Sequence, residues 1–343
     1  MNKYKIPDKN RISAVFNHEI PDRVPNFEVL VEGPALEHIM GRRIEGSTLT
    51  NIDPYLYVEF VNKIGQDVIG MNFYDNPFRY ADSCGNKKKL DFKISSPEDL
   101  DIILPTSLEH LEDRFALLDK YQEAVKGTGI GLFVLTGDFF CTAFDSIFGF
   151  ENFMYLLNDE PDLIEEILER YARHYAQMAE RLTGYDLTFF YAGDDIAFKS
   201  GTLINPEKMR KIWLPRMDRI MEPARKRGIP ILYHSDGNII NLLPDLIDIG
   251  VSAINPVEPY GMDIRDVKRK FGRHLSIVGN LDAGGNLSMG TPDDVREEAR
   301  RLIDDVGKDG GLVLASSHSI TRNIKPDNFL AMIETAQTYG IYK

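Results

Sequence analysis

Cysteine is scarce: Cys84 and Cys141 are the only two in 343 residues. A disulfide scaffold and a thiolate zinc cluster both need more than that. Basic charge is also short, since 40 Lys and Arg face 53 Asp and Glu and leave a net charge of −13. Nucleic acids and anionic membranes want a basic face, so neither is an expected partner. The start, Met1-Asn-Lys-Tyr-Lys-Ile-Pro7, has positive charges with no apolar run behind them. No signal peptide, transmembrane span or lipidation signal is therefore expected, and a reducing, cytoplasmic compartment fits. What remains is 43% hydrophobic and 27% charged residues, the composition of a globular chain of enzyme size with an ample core.

Along the chain, short apolar runs alternate with helical patterns. A helix over Asn10–His18 and a turn at Pro21-Asp-Arg-Val-Pro25 precede a first strand, Phe27–Val31, with Glu28 and Glu32 on one face. A second strand is expected over Asp67–Phe73, followed by a polar insertion with the run Gly85-Asn-Lys-Lys-Lys89, read as a solvated hairpin. Further strands follow at Gly131–Thr136, Leu187–Tyr191, Ile229–Tyr233, Ala253–Val257, Leu275–Gly279 and Leu312–Ala315, with helices between them. Eight such units predict a single (β/α)8 barrel over residues 1–343, with an N-terminal helical extension and an insertion after the second strand. A doubly wound open sheet is the alternative, but no Gly-rich phosphate loop follows the first strand.

In such a barrel every strand end opens on one face. The polar groups expected there are Glu28, Glu32, Asp75, Asp138, Asp194, Asp195, His234, Asp236, Glu258, Asp282 and His318. Any one acid could simply cap a helix. The adjacent pair Asp194-Asp195 is less easily explained, because two carboxylates side by side repel unless something compensates them. Of seven histidines only His234 and His318 end strands; His18, His38, His110, His174 and His274 fall in helices or connections and read as surface groups. Two mouth histidines with Glu258 suit a metal site or an acid–base pair. Pro256 and Pro259 around Glu258 limit where its carboxylate points. Asp75, Asp195, His234 and His318 are thus candidate catalytic residues. Glu28, Tyr191, Asn255 and Asp282 are candidate substrate contacts, and His234, Glu258, His318 and Asp236 a candidate metal set.

Several motifs resemble those of the uroporphyrinogen decarboxylase-like barrels, a group that includes cobalamin-dependent methyltransferases. They are Gly193-Asp-Asp-Ile-Ala197, Ser200-Gly-Thr-Leu-Ile204, His234-Ser-Asp-Gly-Asn238, Gly261-Met-Asp263, and His318-Ser-Ile320 with Pro326-Asp-Asn328. The resemblance implies a barrel enzyme and covers nearly the whole chain. It also implies that Asp75 stands at the family's aspartate after the second strand, which faces pyrrole nitrogens in the decarboxylases. Those enzymes grip substrate carboxylates with an Arg-rich segment after the first strand; here that stretch is Glu28-Val-Leu-Val-Glu-Gly-Pro34. An acidic mouth repels a polycarboxylate. In the methyltransferase branch, zinc is held by His-x-Cys and a later cysteine, and His234, Asp236 and His318 occupy the matching positions.

The expectation is a methyltransferase that moves a methyl group from a small methoxy or methylamine-like donor to a cobalamin. Methylcobalamin would be carried by a separate corrinoid protein, and Zn2+ is the expected metal, with manganese or iron as options where hard ligands replace thiolates. A lyase or decarboxylase acting on a small non-porphyrin acid, with a His acid–base pair, is the alternative. A binding barrel without catalysis is the third reading, and a homodimer is one option for assembly.

Overall fold

The computed structural model describes residues 5–44 and 52–343; the first four residues of the N-terminal reading lie outside them. Seven parallel strands form one sheet in chain order: β1 (Val68–Asn72), β2 (Gly131–Gly137), β3 (Phe189–Gly193), β4 (Ile231–His234), β5 (Ala253–Asn255), β6 (Ser276–Leu281) and β7 (Leu312–Ser316). The register sets Gly70 beside Phe133, Tyr191 beside Leu232 and His234 beside Asn255. The fold is thus the expected α/β barrel, with boundaries shifted by a residue or two. The strand expected to run to Val257 stops at Asn255, because Pro256 has no N–H to give the ladder.

The first expected strand needs correction. Phe27–Val31 forms no regular strand, only isolated parallel bridges from Asn26 to Leu314 and from Val31 to Ile320. The Leu314 N–H donates to Pro25 O and the Asp67 N–H to Asn26 O, so this segment still stands between β7 and β1 and completes the ring. A regular ladder fails because Glu28 takes its donor: the Ser316 N–H and hydroxyl both bond to the Glu28 carboxylate, at 2.8 and 2.7 Å.

The barrel interior is filled from its N-terminal end. Phe133 and Phe189 stack at 4.7 Å, and Phe27 lies 5.4 Å from each ring. Gly70 leaves room for this, since a Cβ there would come within 2.2 Å of the Phe133 ring. The helix Lys9–Phe16 closes that end by burying Ile12, Val15 and Phe16, with Phe16 set edge-on to Phe189. Each such side chain removed from water contributes roughly 1.5–3 kcal/mol. Beside it, buried Asp67 accepts from Arg11 and Arg23 at 2.8 and 3.0 Å. A second apolar cluster lies between the sheet and the outer helices.

The lysine-rich insertion is the expected exposed hairpin, with Arg79–Ala81 paired antiparallel to Lys87–Lys89. Its lysines stand on the returning strand, while Asp82 holds the turn by accepting from the Cys84 and Asn86 N–H groups.

Candidate active site at the barrel mouth

The strand ends assemble the site around His234, the last residue of β4. On β5, Asn255 gives its Nδ2 to the Val278 carbonyl at 2.9 Å, which turns its Oδ1 toward two groups. One is the Tyr191 hydroxyl, which donates at 3.0 Å; the other is His234 Nδ1, also at 3.0 Å. An amide oxygen can only accept, so Nδ1 carries a hydrogen and Nε2 is the nitrogen turned to the mouth. The Tyr191 ring stacks on the imidazole at 5.8 Å and fixes its plane.

His234 Nε2 faces Asp195 Oδ1 at 3.6 Å, too long for a hydrogen bond. Asp195 Oδ1 instead accepts from the Asp236 N–H at 2.9 Å. Asp195, His234 and Asp236 each bring a ligand atom within 4.8 Å of the others, a grouping fit for a metal ion. Asp236 Oδ1 is buried with no hydrogen-bond partner. Burial pushes the Asp236 carboxyl up, against the pull of His234.

The remaining members of the expected metal set stand one step out. His318 Nε2 is 3.8 Å from Asp236 Oδ2 and its side chain is 57% exposed. Glu258 accepts the Gly237 N–H at 3.2 Å. Asp236, Glu258, Asp282 and His318 line one cavity of about 350 Å3, so the four strand ends do meet at one mouth. Asp282 is largely committed: it accepts from the Gly284 and Gly285 N–H groups at 3.0 Å and from the Tyr260 hydroxyl at 2.5 Å. Glu28 is buried under β7, and burial pushes its carboxyl up to about 8 despite two bonds from Ser316.

The acid pair after β3 divides its labour. Asp194 is buried and accepts from the Phe140 and Cys141 N–H groups and from Trp213 Nε1 at 2.8–3.0 Å, so it pins the chain leaving β2. Asp195 is left for the mouth. Asp138, at the end of β2, adopts φ +65°. Burial and the nearby Asp195 push its carboxyl up to about 6, while His234 and the Cys141 thiol pull it back.

Asp75 stands apart from His234. Its Oδ2 meets His110 Nε2 at 2.7 Å and His174 Nε2 at 3.1 Å. Burial acts to raise its carboxyl, but the bonds from His174 and His110 outweigh that and hold it below the usual carboxylate range. His174, expected at the surface, is fully buried in the helix Pro161–Leu182. Its neighbours Tyr171, Tyr175 and Met178 form the apolar stripe of that helix, and the spacing of His174 within the stripe is the signal that would have corrected the reading. Two further mouth residues went unforeseen, Lys199 and Tyr260, each on a loop after a strand end.

Residues 132–339 match the family described as uroporphyrinogen decarboxylase (URO-D). The uroporphyrinogen decarboxylase of Methylococcus capsulatus is 25% identical over 191 residues, 54% of this chain and 51% of that protein. That of Neisseria meningitidis serogroup C is 22% identical over 281 residues, 78% of this chain and 74% of that protein. The chain thus spans about half the length of the first relative in its match. A methyltransferase from Methanosarcina mazei shares the fold, with TM-score 0.75, covering 97% of this chain and 99% of that one at 17% identity. No helix among the described residues is long and apolar enough to cross a membrane. With a family match over more than half its length and a barrel whose strand ends carry the expected polar groups, the chain belongs to the uroporphyrinogen decarboxylase family.

Proposed function

We propose that this barrel is a methyltransferase that moves a methyl group from a small methoxy or methylamine-like donor to a cobalamin on a separate corrinoid protein. The observation that carries the reading is the facing pair at the mouth. His234 Nε2 and Asp195 Oδ1 face each other at 3.6 Å, the ring held by its Nδ1–H to Asn255 Oδ1 and the carboxylate by the Asp236 N–H. A proton, a bridging water or a cation between them would satisfy both, and a cation would also engage Asp236.

The residues fit zinc or a harder divalent ion. One imidazole nitrogen and two carboxylates, with the unpartnered Asp236 Oδ1 among them, match a catalytic set that keeps an open position. Bound there, such an ion would polarise the heteroatom from which the methyl group leaves. Asn255 would act behind His234, keeping the proton on Nδ1 so that Nε2 stays available. The mouth cavity holds three carboxyl side chains and a single lysine, a poor host for a polycarboxylate.

The test combines purified chain, a reduced corrinoid protein and a panel of methoxy and methylamine donors, followed by cobalt–methyl absorbance. Elemental analysis before and after chelation runs beside it. Methyl transfer that falls with chelation and with His234→Ala is the expected result. Release of carbon dioxide from a small acid, indifferent to corrinoid protein, would assign the site to the lyase reading instead.

A further inference from the structure

The mouth cavity carries an aromatic face with a cation already on it. Lys199 stands at the turn of a small hairpin, Ala197–Phe198 paired with Gly201–Thr202. Asn238 N–H donates to Phe198 O at 2.8 Å, and a Cβ on Gly237 would sit 2.5 Å from Ala197 O, so the hairpin is seated directly over the β4 exit. Its position brings Lys199 Nζ to 4.8 Å from the Tyr260 ring centroid. The Tyr260 hydroxyl donates to Asp282, which fixes the ring and enriches it in electrons, and that bond holds the phenol proton more tightly than usual. A fixed, electron-rich ring is a favourable seat for an ammonium group.

The walls around that seat point the same way. Glu258 and Asp282 line the cavity of about 350 Å3 with Tyr260, and Lys199 is its one lysine. A second lobe of about 480 Å3 shares Pro259, Tyr260 and Asp282 with the first. Asn280, 5% exposed, lines that lobe, and its Oδ1 has no hydrogen-bond partner. The unmet demand there is for a donor. Lys199 itself is solvent-exposed at its turn and forms no ion pair within 4 Å among the described residues, so little holds it on the ring.

We propose that this two-lobed cavity binds a small methylated ammonium ion on the Tyr260 face, in the place where the Lys199 ammonium now stands. The inference rests on the methyl-transfer reading for its meaning, because it assigns the methyl donor to the protonated amines rather than the neutral ethers. A metal would act on such a donor only after its N–H proton has left and freed the nitrogen lone pair. Its physical content is binding alone. Glu258 and Asp282 supply negative charge, Tyr260 supplies the ring, and Lys199 competes as a tethered cation.

Calorimetric titration of the full chain with trimethylammonium, uncharged tert-butanol and acetate tests it without any turnover. Trimethylammonium binds and tert-butanol of similar shape does not. Lys199→Ala tightens trimethylammonium roughly two- to fivefold by removing the competitor. Tyr260→Leu weakens it roughly tenfold, with unfolding by heat unchanged. If Lys199 is instead an anchor for an anionic ligand, acetate binds and Lys199→Ala abolishes it while leaving trimethylammonium unaffected; that result overturns the proposal. Failure of trimethylammonium to bind either the native chain or Lys199→Ala overturns it equally. The two readings fail separately: ammonium binding without methyl transfer refutes only the activity, and transfer from a methoxy donor without ammonium binding refutes only this seat.

Discussion

Two clusters of histidine and aspartate lie at the strand ends of this barrel, and they differ in how far they are satisfied. Around Asp75, two imidazoles close on one carboxylate oxygen at 2.7 and 3.1 Å, and the Asp75 side chain is 7% exposed. Around His234, the matching distances to Asp195 and from Asp236 to His318 are 3.6 and 3.8 Å, with one buried oxygen unpartnered. The first cluster is closed into hydrogen bonds across its front, tying the insertion to the long helix Pro161–Leu182, although His174 Nδ1 is buried without a partner. The second is held in place from behind by Asn255 and backbone amides, and keeps its front atoms free. Identical residue types therefore build a clamp in one place and a site in the other, and the distances between facing atoms distinguish them.

The largest test of that contrast is His234→Ala. Methyl transfer should fall roughly 10²–10⁴-fold, while the urea midpoint stays near that of the native chain, because the side chain is partly open to solvent. An unfolded variant with unchanged specific activity in its folded fraction would make His234 structural.

The reverse pattern is expected for Asp75→Ala. It leaves buried His174 without its acceptor and should cost about 3 kcal/mol in urea unfolding, with far less effect on the turnover of the folded fraction. The pH dependence has a definite sign. The Asp75 carboxyl is depressed in the folded chain, so its contribution is full at neutral pH and is lost as pH falls through its folded value. Native and variant stabilities should converge in acid; a gap that persists there would deny the ionised clamp.

Asn255→Ala sharpens the comparison from behind the site. Freed from its amide partner, His234 can carry its proton on either nitrogen, and divalent-ion affinity should fall roughly 10–100-fold by competition with a chelating dye. Unchanged affinity would mean that Nε2 needs no such support.

A smaller effect belongs to Asp138→Asn. Burial raises this carboxyl to about 6, so ionising it works against folding as pH rises through that value. The variant should gain about 1–2 kcal/mol over the native chain at pH 8 and lose that advantage below about pH 4. Equal pH profiles would show that Asp138 is compensated in a way its neighbours do not reveal.

Much of the barrel was legible because its signals are local. Apolar runs of strand length, helix-period stripes and prolines near helix starts each reflect a few neighbouring residues, and they placed seven of the eight staves within a residue or two. The eighth was misread because a side chain, Glu28, replaced a backbone acceptor, and alternation does not register such a substitution. The polar strand ends were legible for the same local reason, and His234, Asp195 and Asp236 stood among them.

Their pairing was not. His174 meets Asp75 across 99 residues, and Asn255 orients His234 across 21. Nothing in either local sequence specifies the partner, since the partner is chosen by sheet register and by which helix packs over which strand. The same holds for Asp194 and Asp195, neighbours in the chain that point to opposite tasks because Trp213 and two amides claim the first. Composition and periodicity determined a parallel barrel with an acidic mouth. Tertiary packing alone decided which acids that mouth keeps free, because hydrogen-bond satisfaction depends on distances between atoms far apart in the chain.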